Sequence, residues 1–151
     1  MTLKYTPPKR ILIVDDDPSV REMLARVLAG EGYDTSPAAD SVEALQIASA
    51  AEIDLALLDL NLPGKNGWET FEALTAENPL LPVIIVTARP NQLFTAMGAG
   101  VGALLEKPLN FPKLLETIAG LLVEPADSRR ARIAGKPAEF RYLPPQKKRR
   151  P

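Results

Sequence analysis

The chain has 151 residues, 18 Lys and Arg against 19 Asp and Glu, 46% hydrophobic residues, and neither His nor Cys. One domain's length at ordinary composition can bury a core without disulfides or a structural metal. The two absences exclude thiolate nucleophiles, Ser-His-Asp triads, soft zinc or iron–sulfur centres and phosphohistidine, so any metal must be a hard cation held by oxygen. No apolar stretch reaches the roughly 18 residues of a membrane span, and the first ten residues lack the apolar run of a secretory signal. A cytoplasmic location without membrane insertion is expected, and zero Cys fits a reducing compartment.

Four short apolar runs read as strands: Ile11-Leu12-Ile13-Val14, Leu55-Ala56-Leu57-Leu58, Val83-Ile84-Ile85-Val86 and Ala103-Leu104-Leu105. Their apolarity is continuous rather than alternating, which predicts burial on both faces, as in a parallel sheet. The first is followed by a helix with Asp17 as N-cap and Pro18 in its first turn. Val20, Met23, Leu24, Val27 and Leu28 form its apolar stripe, and Gly30 and Gly32 end it. Tyr33 to Pro37 is the expected remaining strand, and a second helix follows Asp40 with Val42, Leu45, Ile47 and Ala48 as its apolar residues. A third helix is predicted from about Trp68 to Glu77, stopping before Pro79. A short fourth occupies about Gln92 to Gly98, and a fifth starts near Pro112 with Leu114, Leu115, Ile118, Leu121 and Leu122 inward. The order is (βα)₅, an α/β doubly wound five-stranded parallel sheet.

Charge divides the chain unevenly. Residues 126–151 hold nine Lys and Arg against two Asp and Glu, a balance of +7, and the whole-chain −1 leaves −8 on residues 1–125. The division expected is an extension over residues 1–8, a domain over 9–124 and a basic, Pro-rich tail over 125–151. With Pro137, Pro144, Pro145, Pro151 and few aliphatics, the tail is expected to be extended or partly disordered. Phe140-Arg141-Tyr142-Leu143 is its one sticky patch.

In doubly wound sheets, ligands bind at the carboxyl ends of the strands. The residues just past the apolar runs are Asp15-Asp16-Asp17, Asp59, Thr87 and Glu106-Lys107-Pro108. Crowded carboxylates repel one another unless a cation sits among them, which points to a divalent metal with oxygen ligands. A carboxylate beside such a metal can attack phosphorus, while metal, lysine and hydroxyl neutralise the phosphoryl oxygens. Taken singly, each residue has a plainer explanation as a helix cap, a β-former or a surface charge. Asp17 is assigned to a cap, and Pro63, Gly64 and Gly67 to the turn beside Asp59. Five suitable residues at four strand ends would rarely coincide by chance.

Residues 9–124 resemble the receiver domain of bacterial two-component response regulators, with the flavodoxin-like receiver fold. The resemblance is carried by Ile11 to Pro18, by Leu57-Leu58-Asp59-Leu60-Asn61-Leu62-Pro63-Gly64-Lys65-Asn66-Gly67-Trp68, by Val83 to Ala88 and by Ala103 to Pro108. It implies that Asp59 is the phosphoacceptor, taking a phosphoryl group from a histidine kinase or phosphotransfer protein. By the same resemblance Asp15, Asp16 and Asp59 hold Mg²⁺ (or Mn²⁺), with Asp16 and Asp59 ligating directly, Asp15 mostly through water, and Asn61 contributing its backbone carbonyl. Thr87 matches the hydroxyl residue and Lys107 the cation that meet the phosphoryl oxygens, and Pro108 matches a proline usually preceded by a cis peptide. The protein so read is a signalling domain that catalyses its own phosphorylation and dephosphorylation rather than an enzyme in the ordinary sense.

Three departures from that family stand out. Leu104 lies where the family usually has Tyr or Phe, so a signal from Thr87 would travel by a Leu rotamer or by the following loop. The segment from Thr87 to Met97 is about two residues short, which predicts a short or displaced fourth helix. Only 27 residues follow Glu124, too few for an output domain. The first expectation is therefore a stand-alone receiver acting by contact with a downstream protein target, compatible with a homodimer and with no nucleic-acid partner. The alternative makes the tail a nucleic-acid anchor through Arg129, Arg130, Arg132 and Lys147-Lys148-Arg149-Arg150, with Tyr142 stacking on a base.

Overall fold

The computed structural model describes residues 6–63, 66–134 and 140–146. Gly64 and the run from Lys147 to Arg150, both singled out above, lie outside them, as do Pro137 and Pro151. In chain order the elements are β1 (Arg10–Val14), α1 (Pro18–Gly30), β2 (Asp34–Ala38), α2 (Ser41–Ala50), β3 (Leu55–Leu58) and α3 (Gly67–Glu77). There follow β4 (Val83–Thr87), α4 (Leu93–Ala99), β5 (Ala103–Glu106), α5 (Phe111–Leu122), α6 (Ala126–Ile133) and β6 (Arg141–Leu143).

All strand pairs are parallel, in the order β2-β1-β3-β4-β5-β6. Side chains alternate between the two faces, so the continuous apolar runs feed two cores. Leu12, Val14, Ala56, Leu58, Val83, Ile85 and Leu104 pack with Ala44 of α2, Phe71 and Leu74 of α3 and Ala96 of α4. On the other face, Ile11, Ile13, Leu55, Leu57, Ile84, Val86, Ala103 and Leu105 meet Leu24 and Leu28 of α1 and Leu114, Ile118 and Leu121 of α5. This is the doubly wound flavodoxin-like architecture expected from the sequence.

Helix starts follow the expected chemistry. Asp17 accepts a hydrogen bond from the Ser19 amide and Pro18 opens α1, while Asp40 accepts from the Glu43 amide at the start of α2. The apolar stripes are narrower than expected. Met23 on α1 and Val42 on α2 are exposed, and burial on these helices is confined to Leu24, Leu28, Ser41 and Ala44. At seven residues α4 is the shortest of the described helices, as the shortened segment predicts, and its cap residue Gln92 makes no capping hydrogen bond.

The sheet has six strands rather than five. The tail, expected to be extended or partly disordered, folds into α6 and β6 across its described residues. Two features of the sequence explain the difference. Helix α6 is anchored by ion pairs instead of aliphatics. Arg132, 4% exposed, pairs with Glu124 and donates to the Gly100 carbonyl, and Arg129 pairs with Glu124 and donates to the Leu80 and Leu121 carbonyls. Strand β6 then adds the sticky patch to the edge of β5, with Phe140 packed on one core and Leu143 on the other.

Candidate phosphoryl-transfer site

Each residue of the site is fixed by the ladder that precedes it. The Asp15 amide donates to Ala38 at the end of β2, the Asp59 amide to Val14 at the end of β1, and the Lys107 amide to Thr87 at the end of β4. Their side chains therefore leave one rim, at the carboxyl ends of β1, β3, β4 and β5. Asp15 is 2% and Asp59 5% exposed, Thr87 is fully buried, and Asp16 is exposed. Asp15, Asp16 and Asp59 each offer a carboxylate oxygen, and the three oxygens lie within 4.8 Å of one another.

Lys107 reaches into this group from β5. Its Nζ donates to Asp15 Oδ2 at 3.0 Å and to Asp59 Oδ2 at 3.1 Å. Burial alone would lower the ammonium's pKa, but the hydrogen bonds and negative charges of Asp15 and Asp59 outweigh it and hold it above the usual lysine value. The cation that the crowded carboxylates require is thus supplied in part by the chain itself. The remaining carboxylate oxygens are held by the backbone: Asp15 Oδ1 accepts from the Asp17 amide and Asp59 Oδ1 from the Asn61 amide.

Two loops frame the rim. After Asp59, the chain turns back so closely that a Cβ on Gly67 would lie 2.3 Å from the Leu60 Cα, and the Gly67 amide donates to the Leu60 carbonyl. Only glycine lets the start of α3 approach the loop after Asp59 in this way. Asn66 caps α3, and the Trp68 indole N–H donates to the Gln92 side-chain oxygen, joining this loop to the one before α4. On the other side, the Thr87 hydroxyl accepts from the Arg89 amide. That contact links the hydroxyl directly to the β4–α4 loop, where Asn91 adopts positive φ.

The structure brings together Asp15, Asp16, Asp59 and Lys107, and it places Thr87 on the strand between β3 and β5. Asn61 is adjacent through its amide to Asp59. The Lys107–Pro108 peptide is cis. Three contacts were missed by sequence reasoning: the Trp68–Gln92 bridge, the hydrogen bond from Tyr142 to Glu106, and that from the Gln146 amide to the Pro108 carbonyl. The first two join residues with no sequence signature for pairing, whereas Phe140 to Leu143 gave a usable signal as an isolated β-forming run.

Three carboxylates and an ammonium are thus gathered on the carboxyl rim of a doubly wound parallel sheet, where proteins of this α/β class bind their ligands. The response regulator receiver domain family matches residues 11–119, and the chain belongs to that family. The DNA-binding response regulator MtrA of Mycolicibacterium smegmatis is 43% identical over 98 residues, 65% of this chain and 42% of that protein. The chain therefore spans less than half the length of this curated relative. Among solved structures, a CheY-like receiver domain protein from Methanospirillum hungatei superposes with a TM-score of 0.73 at 34% identity, covering 82% of this chain and 97% of that one. The response regulator TrrA of Thermotoga maritima, solved in complex with Mg²⁺ and BeF, gives 0.70 at 32% identity, with 75% and 98% covered. Among the described residues, no helix is long and apolar enough to cross a membrane.

Proposed function

We propose that the protein accepts a phosphoryl group on Asp59 from a histidine kinase or phosphotransfer protein and signals through contact with a downstream protein. The observation that carries this reading is the Asp59 carboxylate, nearly buried at the end of β3, within hydrogen-bonding distance of Lys107 and beside Asp15 and Asp16. An Asp59 oxygen attacks the donor's phosphorus, the bond from phosphorus to the donor nitrogen breaks, and an acyl phosphate forms. Lys107 neutralises one phosphoryl oxygen, and the Thr87 hydroxyl donates to another, giving up its contact with Arg89 as it turns.

The donor set suits a hard divalent cation: three carboxylates, no nitrogen or sulfur, at one exposed rim. Asp15, Asp16, Asp59 and the Asn61 backbone carbonyl would hold Mg²⁺ or Mn²⁺, which when bound supplies positive charge to the transferring phosphoryl group. Asp59→Asn should abolish labelling by acetyl phosphate, because an amide is no nucleophile. Labelling of that variant at the wild-type rate would place the acceptor elsewhere.

A second reading rests on MtrA, whose name describes it as DNA-binding; the expectation of no nucleic-acid partner gains no support from it. Arg129 and Arg132 turn inward onto Glu124, which leaves Arg130 as the outward cation of α6, itself paired with Asp127. Nucleic-acid binding by the tail would therefore fall to the run from Lys147 to Arg150. Replacing those four residues by Gln should remove any salt-dependent gel shift and leave labelling of Asp59 intact.

A further inference from the structure

The tail reaches the rim on both sides of Lys107. Strand β6 pairs with β5 in the register Ala103↔Arg141, Leu104↔Tyr142 and Leu105↔Leu143. One step further, the Tyr142 hydroxyl donates to the Glu106 carboxylate, immediately before Lys107. The chain then passes Pro144 and Pro145, and the Gln146 amide donates to the Pro108 carbonyl at 2.9 Å, immediately after Lys107. The β5 strand ends at Glu106, so among the described residues the backbone bonds to this turn are the Lys107 amide's to Thr87 and the Gln146 amide's to Pro108.

From these contacts we infer that the segment from Phe140 to Gln146 positions Lys107, holding the residues before and after it so that its ammonium is set against the phosphoryl group on Asp59. Tyr142 and Gln146 touch neither Asp59 nor its carboxylate neighbours; they act through Lys107 and are positioning residues. Lys107 spans the distance to two carboxylates with a flexible four-carbon stem, and its aim depends on where its Cα is held. Holding the Glu106 side chain on one side and the Pro108 carbonyl on the other restricts freedom that would otherwise have to be lost when the phosphoryl group is bound. Coupling of this kind is reciprocal. A tail that favours the phosphoryl-bound arrangement of Lys107 is itself held more firmly when that arrangement is occupied, so β6 carries the state of Asp59 to the sheet edge.

The inference rests on Asp59 being the phosphoacceptor, and the experiment separates the two. Full-length wild type, Tyr142→Phe, Gln146→Pro and Lys107→Ala are compared, together with each tail substitution combined with Lys107→Ala. The readouts are Mg²⁺ affinity, the affinity for beryllofluoride in saturating Mg²⁺, and the rate of labelling by acetyl phosphate. Tyr142→Phe removes only the hydroxyl; Gln146→Pro removes the amide donor together with the carboxamide side chain, and Gln146→Ala, which keeps the amide, serves as its control and should bind beryllofluoride as wild type does. Tyr142→Phe and Gln146→Pro should each weaken beryllofluoride binding about threefold to tenfold, with Mg²⁺ affinity and thermal midpoint close to wild type, and the loss should vanish in the Lys107→Ala background. Tyr142→Phe with Glu106→Gln, which keeps an acceptor but meets no donor, should match Tyr142→Phe alone. In wild type, beryllofluoride should also slow hydrogen exchange at the Gln146 amide. Equal beryllofluoride affinity in wild type and both tail variants overturns the inference, as does a loss that persists undiminished without the Lys107 amine. If wild type itself neither binds beryllofluoride nor takes label, the reading of Asp59 falls instead.

Discussion

At Asp59 the local balance is one of three carboxylates against one ammonium, and the ammonium is shared between Asp15 and Asp59. Asp16 is left as the exposed member of the cluster, the one whose charge is met mainly by solvent. Asp16 thus offers a carboxylate with no ammonium beside it among the described residues, and its exposure means that removing it does not open the core. The indole of Trp68 is placed to report binding, since it sits at the start of α3, directly after the loop that Gly67 presses against Leu60. Adding Mg²⁺ should give a saturable change in tryptophan fluorescence, and Asp16→Ala should weaken it by roughly tenfold or more. An unchanged titration in that variant would remove Asp16 from the metal site. The aspartates, the threonine and the lysine stood out in the sequence because each follows an apolar run by one or two residues. The sharing of Lys107 between two carboxylates did not, since it depends on side-chain reach between strands 48 and 92 residues apart.

Among the elements, those of the body follow from patterns that local physics enforces. A run of four or five apolar residues in a doubly covered sheet has no other low-energy place, and Asp17 before Pro18 and Asp40 before Ser41 each supply the N-cap of the helix that follows. The tail obeys neither rule. Helix α6 has one buried side chain, Arg132, and it is stabilised by a charge pair that composition alone reads as solubility. Strand β6 is three residues long, and its pairing with β5 is non-local. β-propensity depends on such context more than helix propensity does. The anchor of α6 is testable. Glu124→Ala leaves the Arg132 guanidinium without its counter-charge at a nearly buried position, an arrangement that costs about 3–5 kcal/mol if the helix stays docked. Undocking α6 is the cheaper response. Trypsin should then cut after Arg129, Arg130 or Arg132 at least ten times faster than in wild type, while the thermal midpoint of the sheet changes little. Equal cleavage rates would show that α6 is held by other contacts.

Over the whole molecule, the two ends of the sheet do different work. The carboxyl rim collects the carboxylates, the hydroxyl and the ammonium; at the amino end, α6 seals the region around Leu80, Gly100 and Leu121. There Gly100 is in the left-handed conformation that ends α4, and a Cβ on it would lie 2.9 Å from the Ile133 Cα. Ion pairs occur at both ends: those of α6 with Glu124 at one, and those of Lys107 with Asp15 and Asp59 at the other, where Asp16 stays exposed.

Because β6 is parallel to β5, the chain must return to the amino end before the last strand can start; α5 makes that return, and α6 lies at that end before β6 begins. The direction of β6 then brings Gln146 to the acidic rim, where its amide donates to the Pro108 carbonyl. Thr6 to Arg10 enter at the other end, next to Asp34 and Asp54. A fluorophore attached at Gln146 would thus sit on the rim that carries Asp59, and one attached at Thr6 on the opposite side. For assays of phosphorylation, Thr6 is the position to label.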